Sequence, residues 1–222
     1  MGLPTVTMGV LGLFMAPANA AALVIIPSLI TNLWQFAAGD HRASLLRRLW
    51  PMLLAMSAAT VPAAGLLTAG RSERVTVALG SVLVLYGVIG LARLHLKVPL
   101  RLEPWLSPLM GAATGVLTGA TGVFVIPAAP YFQALGLQKD ALVQALGLSF
   151  TVSTLALAAG LATRGAFHLH VAAASLLCAA PALVGVLAGQ WIRAKIDPQA
   201  FRIVFLLGLV LLGADLIVRS VL

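Results

Sequence analysis

Solid apolar runs, separated by short polar links, dominate the pattern of this 222-residue chain. Seven are clear, at 17–37, 46–69, 74–95, 105–135, 138–162, 169–190 and 199–221, and a shorter one covers 2–14. A helix needs about 20 apolar residues to cross a bilayer. The pattern therefore predicts an all-α polytopic membrane protein with about 7–8 helices. Barrel strands alternate apolar and polar positions over roughly ten residues, and these runs do not alternate. Pro17 suits the first turn of a helix, and Gly39-Asp40 ends the run it opens. The next run follows the basic link HRASLLRR (41–48) and contains Pro51 and Pro62; the one after follows GRSER (70–74). The longest polar stretch, HLKVPLRLEP (95–104), divides the chain in two.

The two parts resemble each other. Residues 14–39 align without a gap on 135–160, placing Ala20 on Ala141, Ser28 on Ser149 and Ala37-Ala38-Gly39 on Ala158-Ala159-Gly160. Further on, Gly65 meets Gly185. The chain thus reads as one integral membrane domain made of two repeats, 1–98 and 105–222, of about four segments each. A glycine- and threonine-rich stretch, 105–132, precedes the aligned part of the second repeat. Its counterpart in the first would lie ahead of Met1, so the first repeat is expected to be N-terminally incomplete. Many transporters build a site between two internal repeats.

Composition supports a lipid environment. Charged residues make up 9% of the chain and hydrophobic ones 61%, with a mean hydropathy of +1.05. A soluble domain carries about 25% charged residues. The net charge of +8 would point to nucleic acid in a soluble protein. Here the cations sit in links between apolar runs, where they anchor topology instead, and no nucleic-acid partner is expected. If 105–135 crosses once, the halves are parallel. Arg42, Arg47, Arg48, Arg93, Lys97, Arg101, Arg164 and Arg219 then face Arg71, Arg74, Lys139, Arg193, Lys195 and Arg202 across the membrane. If it is a re-entrant hairpin, the halves are inverted, and only Arg71, Arg74, Arg164 and Arg219 lie opposite the other ten. The positive-inside rule favours the second arrangement and places 40–48 in the cytoplasm. Ala18-Asn19-Ala20 mimics a signal-peptide cleavage site, but no Lys or Arg precedes Arg42, so the run reads as a helix. Cys178 is the only cysteine, which excludes CxxC chemistry.

Two segments carry candidate chemistry. In 105–135, Gly111, Gly115, Gly119 and Gly122 fall at helical spacing among Thr114, Thr118 and Thr121, with Pro127 and Pro130 following. Glycines four apart let a neighbouring helix approach closely. Alternatively, the helix breaks near Gly119–Gly122 and offers backbone N–H groups to an anion at the membrane midplane. In 17–37, Ser28, Thr31 or Asn32, and Gln35 share one face. Run 138–162 adds Gln144, Ser149, Thr151, Ser153 and Thr154. The hydroxyls can bond within their own helices or between helices. The amides of Asn32 and Gln35 are costly in lipid unless they face a cavity or the interior, and they read as functional. Thr118, Gly119, Thr121, Gly122, Ser149 and Thr151 join Ser28, Thr31, Asn32 and Gln35 as candidate substrate-binding residues. Ser28 and Ser149, at matched positions, are expected to line one site.

Asp215 and Arg219 are spaced for an i,i+4 ion pair, and Asp140 suits the start of a helix. His41, His95, His168 and His170 all lie in links. The chain has no HExxH, GxSxG or Walker motif, so no enzymatic activity, metal or cofactor is expected.

The segments PSLITNLWQ (27–35) and GAATGVLTGATGVFVIPAAPYFQALGLQKDALVQALGLSFTVSTLAL (111–157) resemble the TauE/SafE family of sulfite and organosulfur anion exporters. The glycine-rich turn at Gly119–Gly122, Ile126-Pro127, Leu135-Gly136 and the Ala/Ser/Thr-rich helix Ala141–Thr154 follow that family's second half. The resemblance implies two four-segment repeats, a multi-pass protein of the bacterial inner membrane, and secondary export of small anions such as sulfite or organosulfonates. The alternative function is a non-transporting membrane partner or assembly protein for a metal or redox enzyme. A homo-oligomer is compatible with either.

Overall fold

The computed structural model describes residues 3–69, 72–92, 97–195 and 197–221. Arg71, Arg93 and His95 lie outside the described residues. Among the described residues there are nine helices and no strand. They are α1 (Leu3–Gly12), α2 (Pro17–Ala37), α3 (Arg42–Ala69), α4 (Ser72–Leu91), α5 (Glu103–Thr121), α6 (Ala128–Ala134), α7 (Lys139–Ala162), α8 (Leu169–Lys195) and α9 (Pro198–Val221). Spans long and apolar enough to cross a membrane lie in α2, α3, α4, α7 and α9. This is an all-α polytopic membrane protein.

Three boundaries depart from the hydropathy pattern. The basic link 41–48 is the first turns of α3. Leu45 and Leu49, four residues apart, are buried there, while Arg42, Arg47 and Arg48 are exposed, so one face packs although the stretch is polar on average. Helix α8 continues to Lys195, past the apolar run; Arg and Lys are good helix formers, and only the hydropathy ends at 190. The run 105–135 is interrupted: α5 ends in Gly122 with φ 75°, residues 123–127 are non-helical, and α6 has 7 residues.

Contacts fix the direction of each helix. Gly39, after the end of α2, packs on Gln144 near the start of α7, and Gly147 packs on Asn32 and Phe36. The two helices are therefore antiparallel. Gly80 lies against Gly213, and Gly90 against Leu206, so α4 and α9 are antiparallel too. Helices α3 and α5 run parallel, because Gly111, Gly115 and Gly119 meet Met52, Met56 and Ala63 in turn. The chain then turns back, and the Val98 N–H bonds to the Ala134 carbonyl at 2.9 Å. Residues 103–134 thus form a re-entrant hairpin that enters and leaves at the end where α3 begins. The described loop and helix-end cations Arg42, Arg47, Arg48, Lys97, Arg101, Lys139 and Arg202 share that end, whereas Arg74, Arg164 and Arg219 lie at the other.

Helix α2 contains Pro27, which lacks the N–H that would otherwise bond to the Leu23 carbonyl. Ser175 of α8 fills this gap. Its hydroxyl donates to Leu23 O at 2.8 Å and accepts from the Ile26 N–H at 3.1 Å. One apolar cluster joins α1, α2, α4, α9 and the ends of α3 and α7. A second, built around Met52, Met56, Phe132 and Phe150, joins α3 to the hairpin and α7. At the cationic end, Arg48 grips Glu103 through two bonds of 2.6 and 2.8 Å. At the far end, Asp215 and Arg219 form the expected pair at 2.8 Å.

Candidate functional site

The interrupted hairpin, α1, α2 and α7 meet around a small buried cavity. Its walls include Met8 of α1, Ala21, Val24, Ile25 and Ser28 of α2, Gly122 and Phe124 of the break, and Thr154 and Leu157 of α7. The centre of a water-sized sphere can occupy about 10 Å³ of it, about enough for one water. No Asp, Glu, Lys, Arg or His lines it.

From this cavity a polar stripe follows α2 toward the cationic end. Ser28 and Asn32 are buried and Gln35 is half-buried. Ser28 Oγ, Asn32 Nδ2 and Gln35 Oε1 are all buried and have no hydrogen-bond partner. Leaving a buried polar atom unpaired costs about 1–3 kcal/mol, so three on one helix face make this stripe the candidate site. Thr5 Oγ1 of α1 is also buried and unpartnered, and no motif or spacing singles it out in the sequence.

The other candidates are differently placed. The Thr31 hydroxyl bonds back to Pro27 O at 3.0 Å. Thr121 bonds to Leu117 O and Thr151 to Gly147 O, both at 2.7 Å. Thr118 reaches Val123 O at 3.5 Å. Ser149 and Ser153 both donate to the Met56 sulfur, at 3.7 and 2.8 Å. Ser28 lines the cavity, but Ser149 does not, so the matched serines do not meet there. Gly119 lies inside α5 with its face against Thr60 and Ala63. The Gly122 N–H is bonded to Thr118 O at 2.7 Å. Free donors lie further on: the N–H groups of Phe124, Val125 and Ile126, all buried, make no hydrogen bond among the described residues. Pro127, which stands at the N-cap of α6, and Pro130, in its first turn, were the signal that a second helix starts after this segment.

Gln144 has a structural role. Its side chain donates to Phe36 O at 2.8 Å and accepts from the His41 N–H at 2.9 Å, capping the end of α2. Gln144→Leu is expected to remove both bonds and cost about 1–3 kcal/mol. Thermal unfolding in detergent should show a midpoint lower by several degrees, at about 2–4 °C per kcal/mol for a chain of this size.

Antiparallel spans and a re-entrant, broken hairpin beside buried, uncharged polar groups make this a multi-pass membrane protein. The family model described as sulfite exporter TauE/SafE matches residues 1–216 of the 222, and the chain belongs to that family of membrane transporters. No curated protein and no solved structure shows a significant match.

Proposed function

We propose that the protein is a secondary transporter that exports small anions, such as sulfite or organosulfonates, across the bacterial inner membrane. The observation that carries this reading is the row of unpaired buried polar atoms on Ser28, Asn32 and Gln35 of α2, which starts at a cavity that Ser28 shares with Gly122 and Phe124 of the interrupted hairpin. Ser28 Oγ and Asn32 Nδ2 are neutral donors, and Gln35 becomes one when its amide turns its nitrogen to the guest; such groups suit an anion that must also leave, since they avoid the desolvation cost of burying Lys or Arg. The N–H groups of residues 124–126 add donors without charge. In this reading the protein is built as two inverted repeats, 1–98 and 105–222, with the site between them. The crowding of cations at the end where α3 begins supports a cytoplasmic position for that end.

A site lined by no titratable side chain moves its cargo's charge in full. One charge crossing 100 mV is worth ~2.3 kcal/mol, or about 50-fold in concentration at 1.36 kcal/mol per tenfold. In proteoliposomes, an imposed potential of that size, negative on the cationic side, should drive a monovalent sulfonate to an outward gradient approaching ~50-fold. Accumulation that follows a pH gradient and ignores the potential would reject this coupling. Absence of efflux above protein-free vesicles for sulfite and for sulfonates would reject the transport assignment itself.

A further inference from the structure

An open cavity of about 370 Å³ lies at the cationic end, between the first turns of α3 and α5. It is lined by Arg48, Pro51, Leu100, Glu103, Pro104 and Ser107. Two tryptophans adjoin these lining residues in sequence, Trp50 with 59% and Trp105 with 81% of its surface exposed. Exposed tryptophans in a membrane protein mark the level of the lipid headgroups. The cavity therefore opens at headgroup depth.

Its chemistry is bipolar. The Glu103 carboxylate is mostly covered, and the Arg48 side chain is 35% exposed. Glu103 engages Arg48 through Nε and Nη2, so the Nη1 donors have no partner among the described residues and remain for a second acceptor. A free anion entering here would gain Arg48 but meet the Glu103 carboxylate. A ligand carrying both charges a few ångströms apart satisfies both groups. Pro51, Leu100 and Pro104 offer an apolar wall beside the charged pair.

We propose that this cavity binds the headgroup of an ethanolamine phospholipid, with the phosphate beside Arg48, the primary ammonium beside Glu103, and the glycerol region against Pro51, Leu100 and Pro104. The site is separate from the anion cavity and does not rest on the transport assignment. It stands at the base of the hairpin: Glu103 opens α5, and Ser107 of α5 bonds the Tyr131 hydroxyl of α6 at 2.6 Å. An occupant there braces both limbs of the hairpin against α3.

The test uses the full chain, delipidated in detergent and titrated with phosphatidylethanolamine, phosphatidylcholine or phosphatidylglycerol. Native mass spectrometry reads the bound lipid. The ethanolamine lipid should bind at least ~10-fold more tightly than either of the others, because choline lacks N–H donors and glycerol lacks the cation. Leu100→Trp, which adds bulk at the apolar wall and leaves both charged residues in the chain, should abolish this preference while leaving thermal unfolding of the lipid-free protein unchanged. The double exchange Arg48→Glu with Glu103→Arg, which keeps a pair but reverses its polarity, should abolish it too. Equal retention of the three lipids overturns the proposal, as does an ethanolamine preference that survives both variants. Tighter binding of the glycerol lipid would show a purely anionic site and also overturns it.

Discussion

Replacing Gly115 by leucine is expected to be among the most damaging single changes to the fold. A β-carbon at this position would lie on the Met56 carbonyl oxygen and 2.9 Å from the Ala59 β-carbon. The obstacle is the backbone of α3, which cannot rotate away as a side chain can. Helices α3 and α5 would have to separate along a contact that Gly111 and Gly119 also need. Overpacking of this kind costs about 1–3 kcal/mol, and more where backbone must move. Membrane helices associate largely through such close packing. The unfolding midpoint in detergent should fall by about 6–12 °C for a 3 kcal/mol loss, with a lower yield of folded protein. Gly208→Leu is the control. A β-carbon on Gly208 meets nothing within 4 Å, so its midpoint should hardly move. Equal losses for the two variants would show that the close approach of α3 and α5 is not what holds the hairpin.

The double variant Asn32→Ala with Gln35→Ala should have the opposite profile, losing transport and keeping stability. Neither the Asn32 amide nitrogen nor the Gln35 carbonyl oxygen has a partner, so trimming both breaks no bond made by those atoms. Stability should stay level or rise slightly, because buried unpaired polar atoms are removed. If the two side chains meet an anion, they do so through their amide N–H groups, Gln35 with its amide turned over, and each hydrogen bond to the charged guest is worth about 1.5–3 kcal/mol. Losing both should slow efflux by about 100-fold or more, at 1.4 kcal/mol per tenfold. Efflux from proteoliposomes at matched protein content checks this. Unchanged efflux would remove these residues from the site. A drop in efflux together with a drop in stability would mean that the amides serve helix packing.

The fold was readable because lipid leaves few options. A backbone in hydrocarbon must satisfy its own polar groups, so solidly apolar runs meant helices. Hydropathy failed where one face alone decides the structure, as at Leu45 and Leu49 in the basic turns of α3. Whether the halves ran parallel or inverted turned on one segment, 105–135. The return of Ala134 to Val98 shows that this segment turns back instead of crossing. At the candidate site, amides and hydroxyls behaved differently. Thr31, Thr121 and Thr151 reach a carbonyl on their own helix, a local solution that composition cannot reveal. Asn32 and Gln35 retain unpaired atoms. Gln144, of the same type as Gln35, found two backbone partners across the α2–α7 contact, and only the three-dimensional register separates those roles.

The bonds of Gln144 also set how the cavity can change size. They tie the end of α2 to the start of α7 at the cationic end of the molecule, while Ser28 lies eight residues away along α2. At 1.5 Å per residue that is a lever arm of about 12 Å. A tilt of α2 by about 10° around this pin would carry Ser28 about 2 Å sideways. The α7 and hairpin wall would stay in place, because α5 is seated on α3 glycine to carbonyl. Such a swing would have to carry Ser175 of α8 along with α2, since its hydroxyl is bonded to Leu23 and Ile26 just ahead of Ser28.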